Sequence, residues 1–395
     1  MRVVVDIDGR YDRTPDGAVW ATGGGGYQYW SRLLEVFDNV ALVGRLRNVV
    51  SVPEDWKRLN GPNVSFEGMP YYLGPWQYLR SARDVNKAAS NLIHTGDAVI
   101  LSNGLISLSM ESVLRRMDYP YAVRVVGDPY DVFSPGSIKH PMRPLFRWWF
   151  PHELRRMCAG AFAAVYVTKE ALQRRYPCPG YSLGVSDVDL SDDAFVPKPR
   201  AVKSGLSTVE VLMVGTLAQL YKAPNVLIDA VAACVRDGVD LRLTFVGDGK
   251  HRPALESQAA AQGIGEKVIF RGILQAPEVR EAMDHADLFV LPSFQEGLPR
   301  AMVEAMARAM PCIGSTVGGI PELLSREDMV PPGSAVALAR KIREVVSSPK
   351  RMAAMSTRNL ETARNYRESV LRDQWTGFYR YVREGTQEWL KSSNR

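Results

Sequence analysis

The stretch "ADLFVLPSFQEGLPRAMVEAMA", Ala286 to Ala307, decides how the rest of the chain is read. It opens on an apolar run of strand length, Asp287 to Ser293, breaks at Gly-Leu-Pro, and resumes with Ala, Met and Val at helical spacing. Ser293 and Glu296 have the spacing of a capping box, but that helix would hold Gly297 and Pro299 in its first turns. An interior proline costs about 3 kcal/mol, whereas proline at the first helical position costs little. The helix is therefore expected to start at Pro299 or Arg300. That leaves Glu296 in the loop and Glu304 about one turn into an otherwise apolar helix. A buried carboxylate needs donors. A ribose diol would suit Glu304, and hydroxyls of a second sugar would suit Glu296. Backbone donors, or Arg300 and Arg308, would satisfy both in a purely structural role. The free N–H groups around Leu298 to Ala301 form an anion site at the helix start.

The same strand–loop–helix unit repeats on either side. Upstream come "VEVLMVG" (209–215), "APNVLIDAVAACVRDG", "LRLTFVG" (241–247), "HRPALESQAAAQG", "KVIFRG" (267–272) and "APEVREAMDHA". Downstream come "PCIGS" and "GGIPELL", and helical sequence then runs to the end. Alternation of this kind specifies a parallel sheet wound with helices. A looser series fills the first half, with strand-like runs at 3–7, 39–44, 97–104, 121–128 and 160–168. Between the two series lies "SDDAFVPKPRAVKSGLST" (191–208), rich in Pro, Ser and charge, which reads as a linker. The expected architecture is α/β, with two Rossmann-like doubly wound parallel-sheet domains facing across a cleft. Their bounds are 1–195 and 205–375. Such sheets bind ligands beyond the carboxyl ends of their strands.

Composition narrows the function. The chain has 395 residues, 46% hydrophobic and 23% charged, and reads as a folded globular protein. Its net charge of +6 is spread evenly over both halves, which argues against a nucleic-acid partner. The four cysteines lie far apart and the five histidines are scattered, so no metal is expected. The opening "MRVVVDIDG" reads as a strand rather than an export signal, and no apolar run is long enough to span a bilayer. A cytoplasmic location is expected. One segment stands apart: "KHPMRPLFRWWFPHELRRM" (139–157) combines five basic residues with two Trp and two Phe. It reads either as a partly buried helix with basic flanks or as a peripheral contact to the anionic inner face of a membrane.

With these residues in view, Glu296-x7-Glu304 behind an apolar strand resembles the glutamate pair of retaining glycosyltransferases with the GT-B fold, family 4. The resemblance extends over "VGTLAQLYKAPNVLIDAV", "LTFVGDG", "VIFRGIL" and "VGGIPELL", is strong over about 205–325, and is loose in the first half. It implies a nucleoside-diphosphate sugar as donor substrate, no cofactor and no metal. Glu304 would bind the donor ribose and Glu296 the donor sugar. The backbone of Gly297, Leu298 and Pro299 would meet diphosphate and sugar, and Arg271, Gly272 and Ile273 would read the base. Lys222 matches the lysine of a G-R-L-x-x-x-K-G motif and would neutralise the leaving diphosphate. Thr216 stands where that motif has arginine, and Arg300 and Arg271 are candidates to replace it. The glycine run Gly23, Gly24, Gly25 and Gly26 would approach phosphates or acceptor. Asp128 matches the aspartate of a histidine–aspartate pair whose histidine is Gly127 here. Residues 376–395 would form a helix returning to the N-terminal domain.

The implied reaction is hexosyl transfer to an acceptor hydroxyl, with a glycan, a lipid-linked glycan and a small molecule all open as acceptors. A nucleotide-sugar 2-epimerase of the same fold and a non-catalytic nucleotide-sugar binder are the alternatives. Two further motifs fail on their residues. "TGGGGYQYW" lacks the third glycine of a dinucleotide fingerprint. "VVVDIDGR" has Arg10 where a phosphatase of the haloacid-dehalogenase type has Thr or Val after its D-x-D-G.

Overall fold

The computed structural model describes residues 1–22, 25–134, 140–188, 190–201 and 208–393. Two sheets organise it. In the first, seven strands run parallel in the order Val64–Met69, Asn39–Asn48, Arg2–Arg13, Ala98–Leu101, Ala122–Val125, Ala163–Tyr166 and Tyr181–Gly184. In the second, six run parallel in the order Val268–Phe270, Leu241–Val246, Val209–Val214, Leu288–Leu291, Cys312–Ser315 and Met329–Val330. Helices cover both faces, so the central strands are buried on each side and lack alternation: Ala98–Leu101, Ala163–Tyr166 and Leu288–Leu291 are buried at every position.

The strand order fixes where a ligand can enter. The second sheet starts in its middle at Val209–Val214, builds outward through 241–246 to 268–270, then jumps back to Leu288–Leu291 on the other side. The crevice therefore opens between the loops that follow 214 and 291. Those loops carry Lys222 and Glu296.

Local structure departs from the sequence reading in four places. The first strand runs to Arg13 instead of ending near residue 7, because its polar second half pairs with Asn39–Asn48 across a register shift between Asp6 and Arg10. The helix after the glycine run is one turn, Tyr27–Trp30, followed by a tighter 3-10 segment, Ser31–Glu35. The expected linker is docked over part of its length: Arg200 donates to the carbonyls of Met283 (2.7 Å), Ala286 (2.5 Å) and Arg308 (2.8 Å) of the second half. The last helix, Glu368–Ser393, begins before residue 376 and lies along the first half. There Trp375 Nε1 donates to the Ser186 carbonyl (3.0 Å), Arg372 pairs with Glu35, and Tyr381 stacks on Tyr181 with centroids 4.4 Å apart.

A second tie between the halves runs beside the cleft. Glu322, in "GGIPELL", accepts from three consecutive backbone N–H groups of the first half: Lys169 (2.6 Å), Glu170 (3.0 Å) and Ala171 (2.9 Å). Gly318, at φ +52°, lets the turn before Glu322 close onto the Glu296 loop, since a Cβ there would stand 1.9 Å from the Glu296 carbonyl oxygen. Among the described residues no helix is long and apolar enough to cross a membrane.

Candidate functional site

A cavity of about 750 Å³ lies where the two sheets face each other and is walled by both halves. From the second half it takes Gly215, Thr216, Lys222, Arg280, Glu296–Arg300 and Glu304; from the first, Lys57, Val126 and Asp187.

Lys222 ends the short turn Leu220–Lys222, and the next residue, Ala223, is left-handed (φ +56°) at the start of helix Pro224–Arg236. Its stem lies across Gly215, where a Cβ would come within 2.3 Å of Lys222 Cδ. Its Nζ donates to Glu296 Oε1 at 3.0 Å, and Ser293 Oγ donates to the same oxygen at 2.7 Å. The Lys222 and Glu296 side chains are only 12% and 8% exposed, so water screens this pair weakly. The pair holds each group at the cleft in a defined position.

The helix behind them is Arg300–Ala307 with Pro299 as its cap, as the proline argument required. The N–H groups of Met302 and Val303 both donate to the Pro299 carbonyl, while among the described residues no backbone carbonyl accepts from those of Arg300 and Ala301. The helix buries Met302, Val303, Ala305, Met306 and Ala307, and Glu304 faces the cavity instead. Its carboxylate has no hydrogen-bond or ion-pair partner among the described residues. Burial raises its pKa, and the nearby Arg300 and Arg280 pull against that shift.

Several of the other expected residues sit elsewhere. Asp128 does not line the cavity; it caps the helical turn Pro129–Val132, accepting from Tyr130 N (2.9 Å), from Tyr176 Oη and from Arg175. Its oxygens are thus committed to local structure, and Val126 meets the cleft in its place. Arg271 and Ile273 are exposed outside the cavity lining, and Gly272 (φ +69°) holds their turn by accepting from Gly247 N at 2.7 Å. Thr216 lines the cavity and its hydroxyl accepts from Ala218 N (3.1 Å). Gly23 and Gly24 lie outside the described residues. Gly25 and Gly26 lead into Tyr27–Trp30, and a Cβ on Gly25 would collide with Tyr29.

Lys57, Asp187, Arg280 and Glu322 were not singled out from the sequence. Lys57 and Asp187 sit in stretches with no strong pattern of their own, Arg280 and Glu322 in patterned segments whose periodicity does not mark these side chains, and only the fold carries them to the cleft. Asp6 and Asp8 lie in the first half, where Asp6 accepts from Ser107 Oγ and from Asp8 N (2.9 Å). Burial pushes Asp6 up to about 6 and Asp8 up to about 7, the latter further raised by Asp6 itself. A Cβ on Gly104 would overlap the Asp8 side chain, so glycine there lets the two segments pack closely. Among the described residues no cluster of His, Cys, Asp and Glu suits a metal ion.

Comparison with known proteins agrees with this geometry. Residues 208–348 match the family Glycosyl transferases group 1. The chain is a glycosyltransferase with the GT-B fold, and its second half carries the group 1 match. The matched segment holds the whole second-half wall of the cavity. CapJ of Staphylococcus aureus is 28% identical over 82% of the chain and 81% of its own length. Sucrose-phosphate synthase from Thermosynechococcus elongatus superposes with a TM-score of 0.70 at 17% identity, covering 97% of this chain and 99% of that one. HepE of Anabaena, solved in complex with UDP-glucose, superposes with a TM-score of 0.61 at 16% identity over 99% of this enzyme and 100% of its own chain.

Proposed function

We propose that the enzyme transfers a hexosyl group from a nucleoside-diphosphate sugar to an acceptor hydroxyl with retention of anomeric configuration, without a metal. The carrying observation is the convergence in one cavity of the Lys222–Glu296 pair, the unpartnered Glu304 and the open helix start at Arg300–Ala301. Glu304 accepts from the ribose diol, which supplies the donors its carboxylate lacks. The diphosphate meets the N–H groups of Arg300 and Ala301 and draws Lys222 from Glu296. Glu296 is then left to accept from hydroxyls of the transferred sugar. The barrier lies in breaking the sugar–phosphate bond, and negative charge grows on the diphosphate as it breaks. Lys222 and the helix start thus act where stabilisation lowers the barrier, each ~1.4 kcal/mol giving tenfold in rate. In the retaining course the departing phosphate takes the acceptor proton on the face it leaves.

The acceptor side is read as lipid-linked. Helix Arg143–Gly160 exposes Leu145 and Trp148 beside a groove walled by Arg143, Arg147 and Arg155, a combination suited to the anionic inner face of a membrane.

The test is a thermal-shift panel with UDP, GDP, ADP and dTDP, followed by transfer assays with sugars of the responding nucleotide. A ligand at ~100 times its dissociation constant stabilises by about 2.7 kcal/mol. NMR of the product's anomeric proton decides retention. No response to any nucleotide would return the two glutamates to a structural role.

A further inference from the structure

We infer that Lys57, from the first half of the chain, is the second cation of the diphosphate site and takes the place of the arginine that Thr216 lacks. The inference rests on the donor reading above and adds a residue which that reading does not contain.

The cavity has a charge problem. A diphosphate brings two or more negative charges, and cations already shared with carboxylates neutralise it poorly. Lys222 is shared with Glu296. Arg280 pairs with Asp193 at 3.3 Å, and Arg300 lies one turn ahead of Glu304 on the same helix, where that carboxylate offsets part of its charge. Arg308 is bound to Asp284 at 2.5 Å and donates to the Ala194 carbonyl at 3.2 Å. Arg271 is outside the lining. Thr216 is uncharged, and its hydroxyl closes its own loop. Lys57 remains. It lines the same cavity and has no carboxylate or hydrogen-bond partner among the described residues.

Its position is built. Lys57 lies in the two-residue strand Lys57–Arg58, which pairs antiparallel with Val19–Ala21 in the register Ala21 to Lys57. Leu59 N donates to the Val19 carbonyl (2.8 Å) and fixes the strand's exit. This edge packs against the end of the glycine run. A Cβ on Gly26 would stand 3.1 Å from the Arg58 carbonyl oxygen and 3.3 Å from Lys57 Cβ, so glycine there lets the two segments close up. The packed edge thus brings Lys57 to the same cavity as Lys222, from the other half of the chain. A compact ammonium on a flexible stem suits a phosphate that must be gripped and released. Because Lys57 and Lys222 belong to different halves, a diphosphate held by both also ties the halves together.

The experiment is isothermal titration calorimetry on the full-length enzyme and its Lys57→Ala, Lys57→Arg and Lys222→Ala variants. The probes are inorganic pyrophosphate, the four nucleoside diphosphates UDP, GDP, ADP and dTDP, and their monophosphates. Lys57 is exposed and unpaired, so Lys57→Ala is expected to melt with the wild type. It is expected to lose about 10- to 100-fold in affinity for pyrophosphate and for the binding diphosphate, the range for one charge-assisted hydrogen bond. Monophosphate affinity is expected to change less than about threefold, Lys57→Arg to retain most of the diphosphate affinity, and added salt to shrink the difference. Equal diphosphate binding by wild type and Lys57→Ala, with Lys222→Ala impaired, overturns the inference and leaves the donor reading standing. Pyrophosphate binding that depends on both lysines, with no nucleotide bound, supports the inference and sinks the donor reading. Binding of neither probe by the wild type overturns both.

Discussion

Glu304→Gln separates folding from function at one atom. The wild-type carboxylate faces the cavity without a donor, and burial raises its pKa above the ordinary 4.5. The folded chain therefore holds that proton more tightly than the unfolded chain does. Its contribution to stability is complete below pH 4.5 and is lost as pH rises through the raised native value. Glutamine carries no charge to desolvate and nearly the same volume. At pH 7 the variant is expected to be the more stable by about 1 kcal/mol, the lower end of the cost of a buried polar group without a partner. For a domain of this size that is about 2–4 °C in Tm. At pH 4 the two proteins are expected to melt together. Nucleotide binding moves the opposite way. One of two hydrogen bonds from a ribose diol to a carboxylate weakens, which lowers affinity by about 10- to 100-fold. Differential scanning fluorimetry from pH 4 to 8, with and without nucleoside diphosphate, reads both effects. A variant that is less stable at pH 7 would refute the desolvation account. Unchanged nucleotide affinity would remove Glu304 from the ribose.

Four more outcomes are expected. Lys222→Ala is expected to keep its fold and lose about 10²–10³-fold in turnover, the usual cost of one group aimed at developing charge; a near-normal steady-state rate would take Lys222 off the leaving group. Glu322→Ala removes the acceptor for three N–H groups across the cleft, so small-angle scattering of the apo enzyme is expected to broaden towards open forms. An unchanged profile would mean that this contact does not hold the halves together. Asp8→Asn is expected to raise stability at pH 8 and leave it unchanged below pH 3.8, because the wild type loses stability as Asp8 ionises on the way to about 7. Urea unfolding at both pH values checks the sign, and a loss at pH 8 would contradict it. Trp148→Ala with Leu145→Ser is expected to reduce co-sedimentation with vesicles of phosphatidylglycerol while donor binding stays normal; undiminished sedimentation would clear this helix of a membrane role.

The donor half was legible because its signals are local. An apolar strand, a loop and a helix that cannot start before Pro299 are consequences of backbone sterics, so Glu296 and Glu304 could be placed before any contact was known. The first half was less legible. Polar residues 8–13 form strand only because Asn39–Asn48 and Val19–Ala21 are there to pair with them, and no window of the sequence contains that information. Asp128 shows the opposite failure: its position after a strand looked like a site, but Arg175 and Tyr176, nearly fifty residues away, occupy its oxygens.

The sequence by itself determined the two wound sheets, the start of the 300–307 helix and the residues offered at the ends of the second set of strands. Those follow from periodicity, proline and glycine, which act within a few residues. Only the tertiary structure decided which charges meet. That Lys222 is held by Glu296, that Glu304 is left without a partner, that Glu322 clasps the other half and that Lys57 stands free across the cleft are facts of strand order and chain crossing. Electrostatic partnership depends on separation in space, and in a doubly wound fold residues far apart in the chain meet at the strand ends.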